Sequence, residues 1–227
     1  AVLVGLTAEG KVGRCDPALA LEKGFAVPRW LIAGDTQQTV YFVTESGNAF
    51  GIYVETLPKV ETFADGIDFA ALSGWGSEEK IAAVFALSPE DKNSETAGVI
   101  TVTENALVKK TLAAELPFAS SQGFALCKVN AGDRLLTVLV SPDDRYELML
   151  TSKKGMAIRF DQQDLRAMGL LAAGVNGMKL KADDSLTAAL MVTEGDTVCF
   201  VSSGWGMGMI PVAEFPKQGR YGQGVIA

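Results

Sequence analysis

The sequence predicts an all-β protein, a propeller-like array of about five four-stranded units, and three observations carry that expectation. A short apolar run that ends in Thr or Ser, followed by a tight turn and a second short strand, recurs five times in 227 residues. A second element, one or two acids leading into an apolar strand, precedes the later copies. The composition agrees. Apolar residues make up 48%, enough for a sizeable core, and 24 glycines among short apolar runs mark many tight reversals.

The first element reads as a β-hairpin. Its copies are Leu3–Gly10, Val40–Gly47, Val99–Asn105, Leu148–Gly155 and Val198–Gly204. The hydroxyl anchors fall at Thr7, Thr44, Thr103, Thr151 and Ser202, with gaps of 37, 59, 48 and 51 residues, as in a degenerate repeat. Gly or Asn supplies the positive φ of the turn, and the hydroxyl bonds a nearby turn backbone group.

The second element covers Glu78–Phe85, Asp133–Val140 and Asp183–Val192. Its continuous apolar stretches suit inner strands buried on both faces; the stretch around Glu78 also reads as a short helix. The unit is thus four strands in about 50 residues. Such units cover one another's faces and protect their edges by stacking around an axis. The whole of 1–227 reads as a single repeat domain with approximate units 1–30, 31–80, 81–130, 131–180 and 181–227. The first unit is expected to lack its leading strands and the last its closing one. Both ends are strand-like, at Val2–Leu6 and Val225–Ala227, so the chain reads as a piece of a longer protein.

Charge bounds the function. The net charge is −7, which by itself argues against a strong nucleic-acid binder. Residues 1–139 hold 17 acids and 11 bases, whereas 140–227 hold 10 acids and 9 bases, so a surface for a polyanion draws on the C-terminal part. Three widely spaced cysteines, Cys15, Cys127 and Cys199, suit thiols in a reducing cytoplasm better than a disulfide framework or zinc site. The absence of histidine removes the commonest general base and metal ligand. Neither a membrane span nor a signal peptide is visible. No metal, cofactor or catalytic residue is expected.

Residues 147–192 carry the most specific pattern: Glu147–Phe160, then Asp161–Gly169 with Arg166-Ala167-Met168-Gly169, then Gly174-Val175-Asn176-Gly177-Met178-Lys179-Leu180, then the Asp183-Asp184 strand. This resembles one blade of the C-terminal domain of the DNA gyrase or topoisomerase IV A subunits. Residues 195–226 resemble the next blade, and the earlier units fit as diverged copies. The resemblance implies a β-pinwheel, whose blades exchange an outer strand with a neighbour. It implies a non-catalytic domain of an ATP-dependent bacterial type II topoisomerase that binds and bends double-stranded DNA for strand passage, the catalytic tyrosine lying outside this chain. The implied partners are DNA, the remainder of the A subunit, plus the ATPase subunit, in the bacterial cytoplasm at the nucleoid.

Two departures stand out. The gyrase signature Gln-Arg-Arg-Gly-Gly-Lys-Gly has its nearest counterpart in Gln218–Gly224, which matches four of seven positions and reads as an ordinary blade turn. The run Gly206-Met207-Gly208-Met209-Ile210 stands where many blades of the family carry bases.

Phosphate binding needs long basic side chains spaced along the surface. The candidates are Lys109, Lys110, Lys153, Lys154, Arg159, Arg166, Lys179, Lys217 and Arg220. The rival reading is an acidic propeller that has lost DNA binding and serves as a protein-interaction module; acids interspersed among the bases would favour it. A propeller enzyme is a third class, for which the sequence offers no histidine. Gly204, Gly206 and Gly208 do not complete a dinucleotide fingerprint, since Met209 stands where a Gly is required. The acid pairs Asp143-Asp144 and Asp183-Asp184 read as turn chemistry, and Trp75 and Trp205 as packing against a neighbouring blade.

Overall fold

The computed structural model describes residues 1–21, 25–76, 79–120 and 122–227. The strands are β1 (Val2–Leu6), β2 (Lys11–Cys15), β3 (Trp30–Gly34), β4 (Thr39–Thr44), β5 (Asn48–Tyr53), β6 (Ile67–Asp68), β7 (Ile81–Leu87), β8 (Gly98–Thr103), β9 (Leu107–Leu112), β10 (Phe124–Ala125), β11 (Leu135–Ser141), β12 (Glu147–Ser152), β13 (Met156–Asp161), β14 (Val175–Asn176), β15 (Leu186–Val192), β16 (Thr197–Val201), β17 (Met207–Pro211) and β18 (Val225–Ile226). Two short α-helices, α1 (Phe69–Ser73) and α2 (Pro89–Asn93), accompany them. Among the described residues no helix is long and apolar enough to cross a membrane.

The strands form four antiparallel four-stranded sheets, ordered β3-β1-β2-β6, β7-β4-β5-β10, β11-β8-β9-β14 and β15-β12-β13-β18, and a two-stranded sheet β16-β17. Every complete sheet is assembled alike. A hairpin forms the middle, a later strand joins its first member, and a two-residue strand from beyond the next hairpin joins its second. No sheet therefore comes from one contiguous stretch of about 50 residues. Contrary to expectation, the first sheet is complete; the last, expected to lack its closing strand, has neither outer strand among the described residues.

The strands read as inner are also corrected. The hairpin strands occupy the middle, and β4 and β8 are buried at every residue. The acid-led strands β7, β11 and β15 lie at one end of their sheets and are only partly buried, each with three buried residues of seven. Glu78 lies outside the described residues; the segment it leads is a strand from Ile81 onward.

The turn chemistry repeats five times. The hydroxyls of Thr7, Thr44, Thr103, Ser152 and Ser202 each accept from the backbone N–H four residues on, at 3.1–3.3 Å. The fourth anchor is thus Ser152 rather than Thr151, which leaves the last two gaps at 49 and 50 residues. The left-handed residue stands three beyond each anchor: Gly10, Gly47, Ala106, Gly155 and Trp205, with φ of 82°, 87°, 63°, 77° and 62°. Ala106 and Trp205 hold this place instead of Asn105 and Gly204.

The leading acids finish the turns. Asp133 Oδ1 accepts from the Asn105 N–H at 3.0 Å, and Asp184 Oδ1 from the Lys154 N–H at 3.0 Å. Asp184 Oδ2 also takes the Ser152 hydroxyl at 2.7 Å. These carboxylates are turn caps.

Two compact units divide the chain, Ala1–Ser94 with Ala113–Leu126, and Glu95–Leu112 with Cys127–Ala227. In the first, Val4, Leu6, Val12, Val40, Phe42, Phe50 and Phe69 form the core between the first two sheets. Lys92 of α2 is buried in the same unit. It donates to Leu116 O and to the Tyr41 hydroxyl, and its Nζ lies 4.5 Å from the Phe118 ring centroid. In the second unit one cluster, including Ile100, Val108, Leu148, Ile158 and Phe160, joins the third and fourth sheets. Another, built on Met149, Val192, Val198, Val212 and Phe215, seats the last hairpin. Each fully buried large apolar side chain contributes about 1.5–3 kcal/mol.

Candidate nucleic-acid interface

The structure separates the nine predicted bases by burial. Lys109 is fully buried; its Nζ donates to Gly169 O and Leu170 O at 3.1 and 3.0 Å, tying down the approach to β14. Lys110 and Arg159 are each 5% exposed. Lys110 pairs with Asp144, and Arg159 Nε lies 3.2 Å from Glu147 Oε2. These three do not stand free on the surface, because their charge is spent on carbonyls and carboxylates of the fold. Lys153, Lys154, Arg166, Lys179 and Lys217 are exposed, and Arg220 is half-buried with Nη1 donating to Asn176 O at 2.8 Å.

Strand geometry divides the same residues by place. Lys110 and Arg159 occupy one repeat position, seven residues past the hydroxyl anchor, as does Arg14 in the first sheet. The backbone at this position bridges a segment just past the 3-10 turn that ends the next hairpin: Arg14 to Lys59, Lys110 to Ala167 and Arg159 to Lys217. Arg166 precedes one of these bridges. Arg14 bonds Leu57 O and Glu55 O at 2.9 and 3.2 Å, so in the first sheet the side chain clamps the turn. In the third and fourth sheets carboxylates take that role. Asp144, Glu147 and Asp161 are interspersed with the bases here, and the Glu147 carboxylate, to which it is hydrogen-bonded, holds the Lys217 ammonium above the usual lysine range.

The other end of the fourth sheet differs. Lys153 and Lys154 form the β12–β13 turn, about 20 Å along the strand from Glu147 at roughly 3.3 Å per residue. Lys154 Nζ donates to Ala182 O at 2.7 Å, which draws the loop bearing Lys179 and Lys181 to the turn. Among the described residues none of these four lysines makes an ion pair with an acid.

Sequence reasoning missed Lys181 and Lys128. Lys128 and Lys179 each stand three residues past an exchanged strand, and their backbone N–H groups donate to Ala172 O and Gly222 O. That shared offset from Ala125 and Asn176 was the available signal. Trp75 packs on Phe50 and Phe69 as expected, but Trp205 is 88% exposed at the tip of the last hairpin, against expectation. Cys199 is exposed, while Cys15 and Cys127 are buried. Gln218–Gly224 forms the connection into β18, where Gly224 N–H approaches the Gln218 side chain at 3.3 Å.

Counted by unit, the first holds 14 acids and 7 bases and the second 13 of each. The acidic excess belongs wholly to the first unit.

The exchanged-strand sheets and the repeated hairpin define a β-pinwheel repeat domain. The family described as "DNA gyrase C-terminal domain, beta-propeller" matches residues 99–142, 146–193 and 209–227. The DNA gyrase A subunit of Mycobacterium bovis is 32% identical over 194 residues, covering 84% of this chain and 23% of that protein. Its counterpart in Salmonella typhimurium is 30% identical over 227 residues, covering 99% of this chain and 25% of that protein. The solved C-terminal domain of DNA topoisomerase IV superposes with a TM-score of 0.83 at 23% identity, covering 99% of this chain and 72% of that one. The gyrase A C-terminal domain gives 0.77 at 18% identity, with 99% and 76% covered. The chain carries repeats of the DNA gyrase C-terminal domain family, and it shares the fold of the solved gyrase and topoisomerase IV C-terminal domains. It spans about a quarter of the length of the gyrase subunits it matches.

Proposed function

We propose that the chain is a non-catalytic domain of a bacterial type II topoisomerase A subunit that binds and bends duplex DNA. It would present the duplex to a cleavage core elsewhere in that protein, working at the nucleoid with an ATPase subunit. The observation that carries this reading is the set of exposed bases on the charge-neutral second unit, above all the cluster Lys153, Lys154, Lys179 and Lys181, whose ammonium groups make no ion pair among the described residues, Asp184 beside them being engaged as the turn cap. Phosphate contacts dominate affinity for such a surface. The contacts we assign are Lys153, Lys154, Arg166, Lys179 and Arg220; Lys217 is held by Glu147.

Five contacts give a slope of about −4.5 in log K against log salt. Fluorescence anisotropy with a labelled duplex of about 40 base pairs, at about 25 and 200 mM salt, measures it. Lys153→Glu/Lys154→Glu is expected to lower the steepness by about 2 and Arg166→Glu/Lys179→Glu by a similar amount. A folded domain that binds no duplex at the lower salt would sink the reading.

The protein-interaction reading is favoured by one observation, the acidic excess of the first unit. A basic protein partner retained by residues 1–94 with 113–126 and released by salt would support it.

A further inference from the structure

Glu147 and Asp161 stand opposite one another in the β12–β13 register. Like charges so placed destabilise a strand pair, and two cations stand against them. Arg159 Nε lies 3.2 Å from Glu147 Oε2. Lys217 Nζ lies 2.5 Å from Glu147 Oε1 and 3.8 Å from Asp161 Oδ2. Arg159 is 5% exposed, yet its Nε and Nη1 are buried without a hydrogen-bond acceptor. The guanidinium therefore keeps unused donors beside a carboxylate, and half-exposed Lys217 is the member that solvent reaches.

We infer that Arg159 and Lys217 form an oxyanion site for a DNA phosphodiester, and that the chain fills it with its own Glu147 carboxylate. Phosphate contact at the Glu147 end of the fourth sheet is held down until Glu147 is displaced, while the Lys153-Lys154 turn at the other end stays open. This rests on the DNA-binding reading above and concerns its regulation. Carboxylate and phosphate are alternative anions for the same cation pair, since both meet the planar donors of Arg and the point charge of Lys. Deleting the carboxylate leaves a buried cation without its counter-ion, a costly state that an incoming phosphate relieves. The third sheet repeats the device: Lys110, at the equivalent strand position, is held by Asp144.

The test compares wild type, Glu147→Gln and Glu194→Gln for duplex affinity. Glu194 is exposed and makes no ion pair among the described residues, so its variant matches the change in net charge without touching the site. Glu147→Gln is expected to bind at least about tenfold tighter at roughly 25 mM salt, with a slope steeper by about 1.8 for two added phosphate contacts. Glu194→Gln is expected to change affinity by less than about twofold, as a single distant surface charge does when screened. Adding Lys217→Met to Glu147→Gln should remove about half of the added slope. Asp144→Asn provides the same reading on the third sheet should Glu147→Gln fold poorly. If wild type binds and both Glu147→Gln and Asp144→Asn bind no better than Glu194→Gln, the inference falls and the DNA-binding reading stands. If none of the proteins binds duplex, both fall.

Discussion

Gly155 and Gly224 provide a matched pair for separating backbone conformation from close approach. Their φ angles are 77° and 76°. A Cβ added at Gly155 meets nothing within 4 Å, whereas one at Gly224 lies 2.4 Å from Ala157 O and 2.8 Å from Ala157 C. Gly155→Ala therefore carries only the left-handed cost, about 1–2 kcal/mol, offset by about 0.4–1 kcal/mol from the less flexible unfolded chain. The net loss is about 1 kcal/mol. Gly224→Ala adds a backbone clash that β13 cannot relieve without parting from β18. Losing two backbone hydrogen bonds adds about 1–3 kcal/mol, for a total of about 2–4 kcal/mol. At about 2–4 °C per kcal/mol for a chain of this size, thermal unfolding followed by circular dichroism should show a drop of a few degrees for Gly155→Ala and about 6–12 °C for Gly224→Ala. Equal drops would refute the claim that Gly224 is required by its contact with the partner strand.

Three further outcomes are expected. Trp205→Gly should raise stability by about 0.5–1 kcal/mol, since it relieves a left-handed φ at an exposed side chain; urea unfolding measures it. Ser152→Ala should lose about 1 kcal/mol by removing the turn hydroxyl while Thr151→Ala loses less than about 0.5, and the reverse order would overturn the assigned anchor. Burial lowers the Lys92 ammonium to about 8. The unfolded chain then binds the proton more tightly than the folded one, so this group's contribution grows as pH rises from about 8 to the ordinary lysine value and is lost as pH falls through 8. Stability of wild type relative to Lys92→Met should therefore increase across that window, and parallel pH profiles would show that Lys92 does not titrate there.

The resemblance of residues 147–226 to family blades was legible because hairpin turns and exchanged-strand glycines are constrained residue by residue. The hydroxyl anchor, for example, needs Thr or Ser at a fixed offset from a left-handed residue. Even there the sequence was ambiguous by one place, since Thr151 and Ser152 are adjacent hydroxyls and only the strand register decides which one turns inward. The positive φ at Ala106 and Trp205 was invisible, because a five-fold repeat imposes a backbone on positions whose side chains do not favour it.

By itself the sequence determined the strand-rich repeat, the acid-capped turns and the gradient of charge along the chain, all of which follow from local residue chemistry. Only the tertiary structure decided which bases face solvent. Lys109, Lys110 and Arg159 read in sequence like Lys153 and Lys179. Strand exchange brings Gly169 O against Lys109, the β11–β12 loop brings Asp144 against Lys110, and the facing strand of its own hairpin brings Glu147 against Arg159, while the turn lysines stay uncovered. Charge neutralisation across such distances in sequence is a property of the assembled sheets, and no local pattern encodes it.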